Sequence, residues 1–214
     1  GCYPLGALKP LDSIDACLCM GASIGMAFGA EKAQGKDFSK GTVAVIGDST
    51  FLHSGVTGLI DAVYNRASIT VMILDNRITG MTGHQQNPAT GKDIKGNPAP
   101  EIDLDALCRA CGVTDVTTVD PFDRKALKAA LLSALGNDQV SVIIAKRPCA
   151  LILTETRPPV QIEACRNCGT CLRIGCPALR REGKAVVVDQ ALCTGCGNCI
   201  PLCPFGCIRQ GGTP

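Results

Sequence analysis

Two runs of cysteine hold the most specific chemistry in the chain. The first is Cys165, Cys168, Cys171 and Cys176, with Pro177 next; the second is Cys193, Cys196, Cys199 and Cys203, with Pro204 next. Three thiolates two residues apart can wrap one face of an iron–sulfur cube in a single loop. A fourth, followed by proline, leaves that loop and reaches the other cube. This crossing assigns Cys165, Cys168, Cys171 and Cys203 to cluster I, and Cys193, Cys196, Cys199 and Cys176 to cluster II, both expected as 4Fe-4S clusters. Gly169, Gly195 and Gly197 let the backbone curl so that amides can point at sulfur. Two zinc ions could also use eight cysteines, but zinc knuckles are pairs of Cys-x2-Cys, not triplets with a Cys-Pro. Four residues precede Cys176 where three precede Cys203, which keeps a three-iron cluster at one site as an alternative. Cys207, a ninth thiol in this region, reads as buried packing, as do Cys2 and Cys19.

A second candidate site lies at two strand ends. Gly47-Asp48-Ser49-Thr50 follows one apolar run, and Asp75-Asn76 follows the next, Ile69 to Leu74. In an open parallel sheet both ends reach the edge where ligands bind. A carboxylate and an amide there can share a hard cation that holds a phosphorylated cofactor; the simpler reading is that Asp48 and Asn76 cap a helix and a turn. His53, just past Asp48, could orient a substrate or shuttle a proton. His84 lies in a long loop.

The elements that must position these residues alternate between strand and helix, which predicts an α/β domain with a doubly wound, mostly parallel sheet. Strands are expected at Thr42–Ile46, Ile69–Leu74, Val113–Val119 and Val140–Ala145. Helices are expected from about Ile14 to Gln34, capped by Asp12 or Ser13, and at Ser54–Arg66, Leu104–Cys111 and Asp123–Leu135, the last capped by Asp120 or Asp123. Gly21, Gly25 and Gly29 would form one smooth stripe for close helix-on-sheet packing, or one that admits a cofactor tail. Arg77 to Pro100 is a long loop of the kind that usually has a function. Thr154 to Pro159 is a short stiff linker, placing one domain at 1–157 and a small α+β two-cluster module at 158–214.

Composition narrows the function classes. Apolar residues make up 46% of the 214, enough for a sizeable core, and the net charge of +2 gives no electrostatic case for nucleic acid. Of the 15 cysteines, nine lie from Cys165 to Cys207. An odd count and no secretory signal favour clusters in a reducing, cytoplasmic setting over disulfides. No run of apolar residues is long enough for a membrane helix. The chain opens Gly1-Cys2-Tyr3-Pro4, without Met, and reads as a fragment or a processed piece.

The residues also carry a resemblance. The cysteine runs are those of bacterial two-cluster ferredoxins. Gly47-Asp48-Ser49 followed by Asn76 resembles the thiamine diphosphate motif that begins Gly-Asp-Gly and ends at Asn, with Ser49 in place of the usual second Gly. Asn76 to Gln85 resembles the same region of the 2-oxoacid:ferredoxin oxidoreductases. Gly1 to Gly6, Cys19 to Gly25 and Gly47 to Gly55 look like large (alpha) subunits of the indolepyruvate type, in which a two-cluster module follows the diphosphate-binding domain.

That resemblance implies Mg²⁺ held by the Asp48 and Asn76 side chains and the Ile78 carbonyl. Gly47, Ser49 and Thr50 would sit at the diphosphate. It implies oxidative decarboxylation of aryl 2-oxoacids to acyl-coenzyme A, with thiamine diphosphate as the electron sink and the clusters passing electrons to ferredoxin. It also implies a preceding pyrimidine-binding domain and a small beta subunit, so that these 214 residues alone would not turn over. A pyruvate or branched-chain oxidoreductase, and a non-catalytic electron relay, are the alternatives.

Overall fold

The computed structural model of the chain describes residues 2–153 and 157–212. These form two compact units. One holds the chain up to Pro4 and Ala16–Cys149; the other joins Leu5–Asp15 to the chain from Ala150 onward. Half of the linker expected at Thr154 to Pro159 (154–156) lies outside the described residues.

In the first unit, β1 (Val43–Gly47), β2 (Thr70–Asp75), β3 (Asp115–Val119) and β4 (Ser141–Lys146) form one sheet in the order β1-β2-β4-β3. All three pairings are parallel. Consecutive residues of β4, Ser141 to Ala145, are buried. Both faces of that strand are therefore covered, as a sheet wrapped by helices requires. The helices are α1 (Ala22–Gln34), α2 (Lys36–Ser39), α3 (Asp48–Thr50), α4 (Val56–Tyr64), α5 (Leu104–Ala110) and α6 (Arg124–Leu135). Asp103 and Asp123 start α5 and α6 by accepting backbone amides two and three residues ahead, as good N-caps do.

Two expectations fail here. The helix predicted from Ile14 begins only at Ala22, because Gly21 takes a left-handed φ of 88° and ends the irregular stretch before it. Ser13 does not cap it; its hydroxyl donates to the Gly6 carbonyl. The glycine stripe is not a close-packing surface either. Gly25 and Gly29 are exposed, and an added Cβ at either would meet nothing within 4 Å. The buried side of α1 is Ile24, Ala27 and Glu31.

A third expectation needs moving. The helix predicted to start at Ser54 starts at Asp48, directly off β1, and passes through a π turn at Phe51–Gly55 before α4. Gly55 permits that turn: a Cβ there would stand 2.8 Å from Ile46 Cδ1 and 2.8 Å from Phe51 Cδ2.

The second unit pairs β5 (Gln161–Ile162) with β8 (Ile208–Arg209) and β6 (Leu179–Glu182) with β7 (Ala185–Val188), both antiparallel. Its helical turns, Ala150–Ile152, Thr170–Ile174 and Ile200–Leu202, are 3-10. The buried core is Val160, Cys171, Leu179, Val186, Cys199 and Ile208.

Candidate functional site

In the first unit the site begins where β1 ends. Gly47 lies opposite Leu74 in the parallel register, so Asp48 and Asp75 leave neighbouring strands at the same edge. Asp48 is 3% exposed. Its Oδ2 accepts from Asn87 Nδ2 at 3.2 Å, and the Ser49 amide also donates to its carboxylate. Burial pushes the Asp48 carboxyl above its usual range, partly opposed by these two donors and reinforced by the charge of Asp75. Asp75 is itself raised, first by burial. Its Oδ1 accepts from the Arg77 amide at 3.1 Å, and its Oδ2 lies 3.9 Å from Arg77 and 4.0 Å from Lys146.

Asn76 folds back on the next turn: its Oδ1 accepts from the Ile78 amide at 3.2 Å, and its carbonyl accepts from Cys149. Ile78 is buried. Thr50 is buried and Ser49 half-buried. His53 stands in the π turn, exposed. The start of α1 abuts this turn, since a Cβ on Gly21 would collide with Ser54. Two residues on, Ser23 has a buried hydroxyl with no hydrogen-bond partner among the described residues.

The buried Asp48 carboxylate, next to a second carboxylate, and the orphaned Ser23 hydroxyl fit a phosphorylated cofactor held through a cation. Mg²⁺ commonly needs only one or two protein carboxylates, the phosphates supplying other oxygens. Asn87 is the functional residue that sequence reasoning misses. Its own Oδ1 accepts from the Ala89 amide at 2.9 Å, fixing the side chain that meets Asp48. An asparagine in a polar loop has no periodic signal, and only the tertiary return of residues 77–100 brings it to Asp48.

In the second unit the eight cysteines separate into two groups of four. Burial raises the Cys171 thiol, and the charges of Cys165, Cys168 and Cys203 raise it further. Cys199 is pushed up to about 11 by burial, with Cys176, Cys196 and Cys193 adding to it. A cavity is lined by Cys165, Cys168, Cys171 and Cys203 together with Cys207. Gly169 and Gly197, at matching places in the two loops, take φ of 73° and 74°, a turn that L side chains resist. Among the described residues no three His, Cys, Asp or Glu side chains gather as ligands of a single ion. A four-iron cube instead takes one thiolate per iron.

The chain matches the family described as thiamine pyrophosphate enzyme, C-terminal TPP binding domain, over residues 1–145. Residues 186–209 match the 4Fe-4S binding domain. Among curated proteins it is similar to the indolepyruvate oxidoreductase subunit IorA of Archaeoglobus fulgidus, 39% identical over 98% of this chain and 34% of that protein. The subunit of the same name from Methanothermobacter marburgensis is 40% identical over 99% of this chain and 34% of that protein. The chain thus spans about a third of the length of these relatives. Among solved structures, the 2-oxoglutarate:ferredoxin oxidoreductase from Magnetococcus marinus shares the fold, with a TM-score of 0.53 and 16% identity over 79% of this chain and 61% of that one.

Proposed function

The chain belongs to the thiamine pyrophosphate enzymes through their C-terminal TPP binding domain, and from that premise we propose that it is the diphosphate-binding and electron-collecting part of a 2-oxoacid:ferredoxin oxidoreductase of the indolepyruvate type. The observation that carries the reading is the pairing, in one chain, of a buried strand-end carboxylate at Asp48 with two four-cysteine cages. When bound, thiamine diphosphate supplies the electron sink for decarboxylation of a 2-oxoacid.

The residues of this chain would act around it. Asp48 and Asn76, with the Ile78 carbonyl, hold Mg²⁺, and Asn87 orients the Asp48 carboxylate. Gly47, Ser49 and Thr50 open the helix that leaves β1, where amides favour phosphate. Cys165, Cys168, Cys171 and Cys203 hold one 4Fe-4S cluster, and Cys193, Cys196, Cys199 and Cys176 the other.

Aryl 2-oxoacid, coenzyme A, ferredoxin, a pyrimidine-binding domain and a small beta subunit complete the proposed reaction. Assay of the complete complex across 2-oxoacids, with coenzyme A and a ferredoxin acceptor, tests it. Preferential turnover of aryl substrates supports the indolepyruvate type, and preference for pyruvate or branched-chain acids refutes it. Absence of magnesium-dependent thiamine diphosphate binding leaves only an electron relay.

A further inference from the structure

The two cysteine cages differ in what surrounds them. Arg166 follows Cys165 in the first loop, where Thr194 follows Cys193 in the second. Arg166 lines the cavity of the first cage, and its guanidinium lies 5.0 Å from the centre of the Phe205 ring. A second guanidinium, that of Arg181, bonds Asn167 Oδ1 and packs 2.8 Å from where a Cβ on Gly169 would stand. Arg157 meets the second loop at Gly195 with its carbonyl oxygen and Cβ foremost.

Three sulfurs of the first cage accept hydrogen bonds from other residues. The Asn167 amide donates to Cys165 at 3.4 Å, the Thr170 hydroxyl to Cys168 at 3.4 Å, and the Cys207 amide to Cys203 at 3.2 Å. Cys199 in the second cage accepts from its own amide, as Cys171 does in the first, and Asn198, matching Thr170, is engaged as well. Cys168 is exposed where its counterpart Cys196 is half-buried; in both cages one cysteine, Cys171 or Cys199, is buried and the rest are half-buried.

Nearby positive charge, hydrogen bonds to sulfur and contact with solvent all favour the more negative, reduced state of a cluster. Charge at the residue after the first cysteine, Arg166 against Thr194, and exposure at the second cysteine, Cys168 against Cys196, differ in one direction, and the Cys207 amide adds to them. That amide comes from the fourth residue after Cys203, a place that Arg180, the first residue after Leu179 in β6, takes after Cys176. Resting on the reading that both cages hold 4Fe-4S clusters, we infer that the cage of Cys165, Cys168, Cys171 and Cys203 has the higher reduction potential of the two. A protein that has taken one electron from dithionite keeps it at this cage, and the cage of Cys176, Cys193, Cys196 and Cys199 takes the next. Thr170 and Arg181 are positioning residues for that order.

The test is an anaerobic dithionite titration of the intact, iron-loaded protein followed by electron paramagnetic resonance, with iron and sulfide measured on each sample. Thr170→Val and Arg181→Met are expected to move the higher midpoint to more negative potential and leave the lower one in place. Thr170→Ser, which keeps the hydroxyl, retains the original midpoint. If Thr170→Val and Arg181→Met shift the lower midpoint, or neither midpoint, the order is overturned. Iron and sulfide amounting to fewer than two clusters in the unsubstituted protein would instead refute the two-cluster reading beneath it.

Discussion

The sheet unit and the cysteine unit reach a buried interior by different means. Ile69 just before β2, Val71 and Ile73 on β2, and Val142 and Ile144 on β4 are wholly or almost wholly buried, with Ile24, Phe51 and Leu59 packed among them. That interior is aliphatic and closes on itself. In the cysteine unit, Cys171 and Cys199 are part of the core, and Cys165, Cys176, Cys193 and Cys203 pack against it. A small unit with so few aliphatic residues lacks the burial that offsets chain entropy, so bound metal must contribute to its folding. The lesson is that one chain holds a site added to a finished fold and another site that is a condition of its fold.

Removing iron breaks this contrast most strongly. Chelation under reducing conditions should abolish amide-exchange protection in β5 to β8 while β2 and β4 keep theirs. Equal protection in both units after chelation would mean that the cysteine unit folds without metal. Next in size is Asp48→Ala. It should weaken magnesium-dependent thiamine diphosphate binding by more than the ~10–100-fold typical of losing an outer partner. Iron content and the exchange protection of β2 should not change. Asn87→Ala, the outer partner itself, should fall within that ~10–100-fold range by calorimetric titration; an unchanged affinity would remove Asn87 from the site.

Gly55→Ala sharpens the contrast from the side of packing. Its Cβ would press on Ile46 and Phe51, and overpacking of this kind costs about 1–3 kcal/mol. A denaturant titration should show that loss in the sheet unit alone, with cluster absorbance retained. His53→Ala should be smallest, within ~0.5 kcal/mol of the unsubstituted protein in cofactor binding, as expected of an exposed side chain. A larger loss would return His53 to the site.

What was legible in the sequence follows the same division. The cysteine groups could be read because ligation is written in local spacing; in the structure Cys165, Cys168 and Cys203 act electrostatically on Cys171, and Cys176, Cys193 and Cys196 on Cys199. The parallel sheet was legible from apolar runs such as Ile69 to Leu74. Asp48 and Asn76 were legible as strand-end residues because the strand period places them at one edge. Other features depend on tertiary contacts. Gly21, Gly25 and Gly29 share a helical spacing, yet Gly21 lies outside the helix, at the turn that meets Ser54, and the other two face solvent. The π turn was hidden because Phe51 to Gly55 reads as an ordinary helical start. Asn87 was hidden because its partner Asp48 lies across the fold.

The most direct measurement is a single turnover. The intact, iron-loaded complex, with Mg²⁺ and thiamine diphosphate but no ferredoxin, is mixed anaerobically with an aryl 2-oxoacid and coenzyme A, and cluster absorbance is followed. Bleaching by the 2-oxoacid is predicted, together with its loss in Asp48→Ala, whose clusters still bleach with dithionite. Clusters that bleach with dithionite but not with any 2-oxoacid, or bleaching that survives Asp48→Ala, would contradict a thiamine site feeding electrons to these cages.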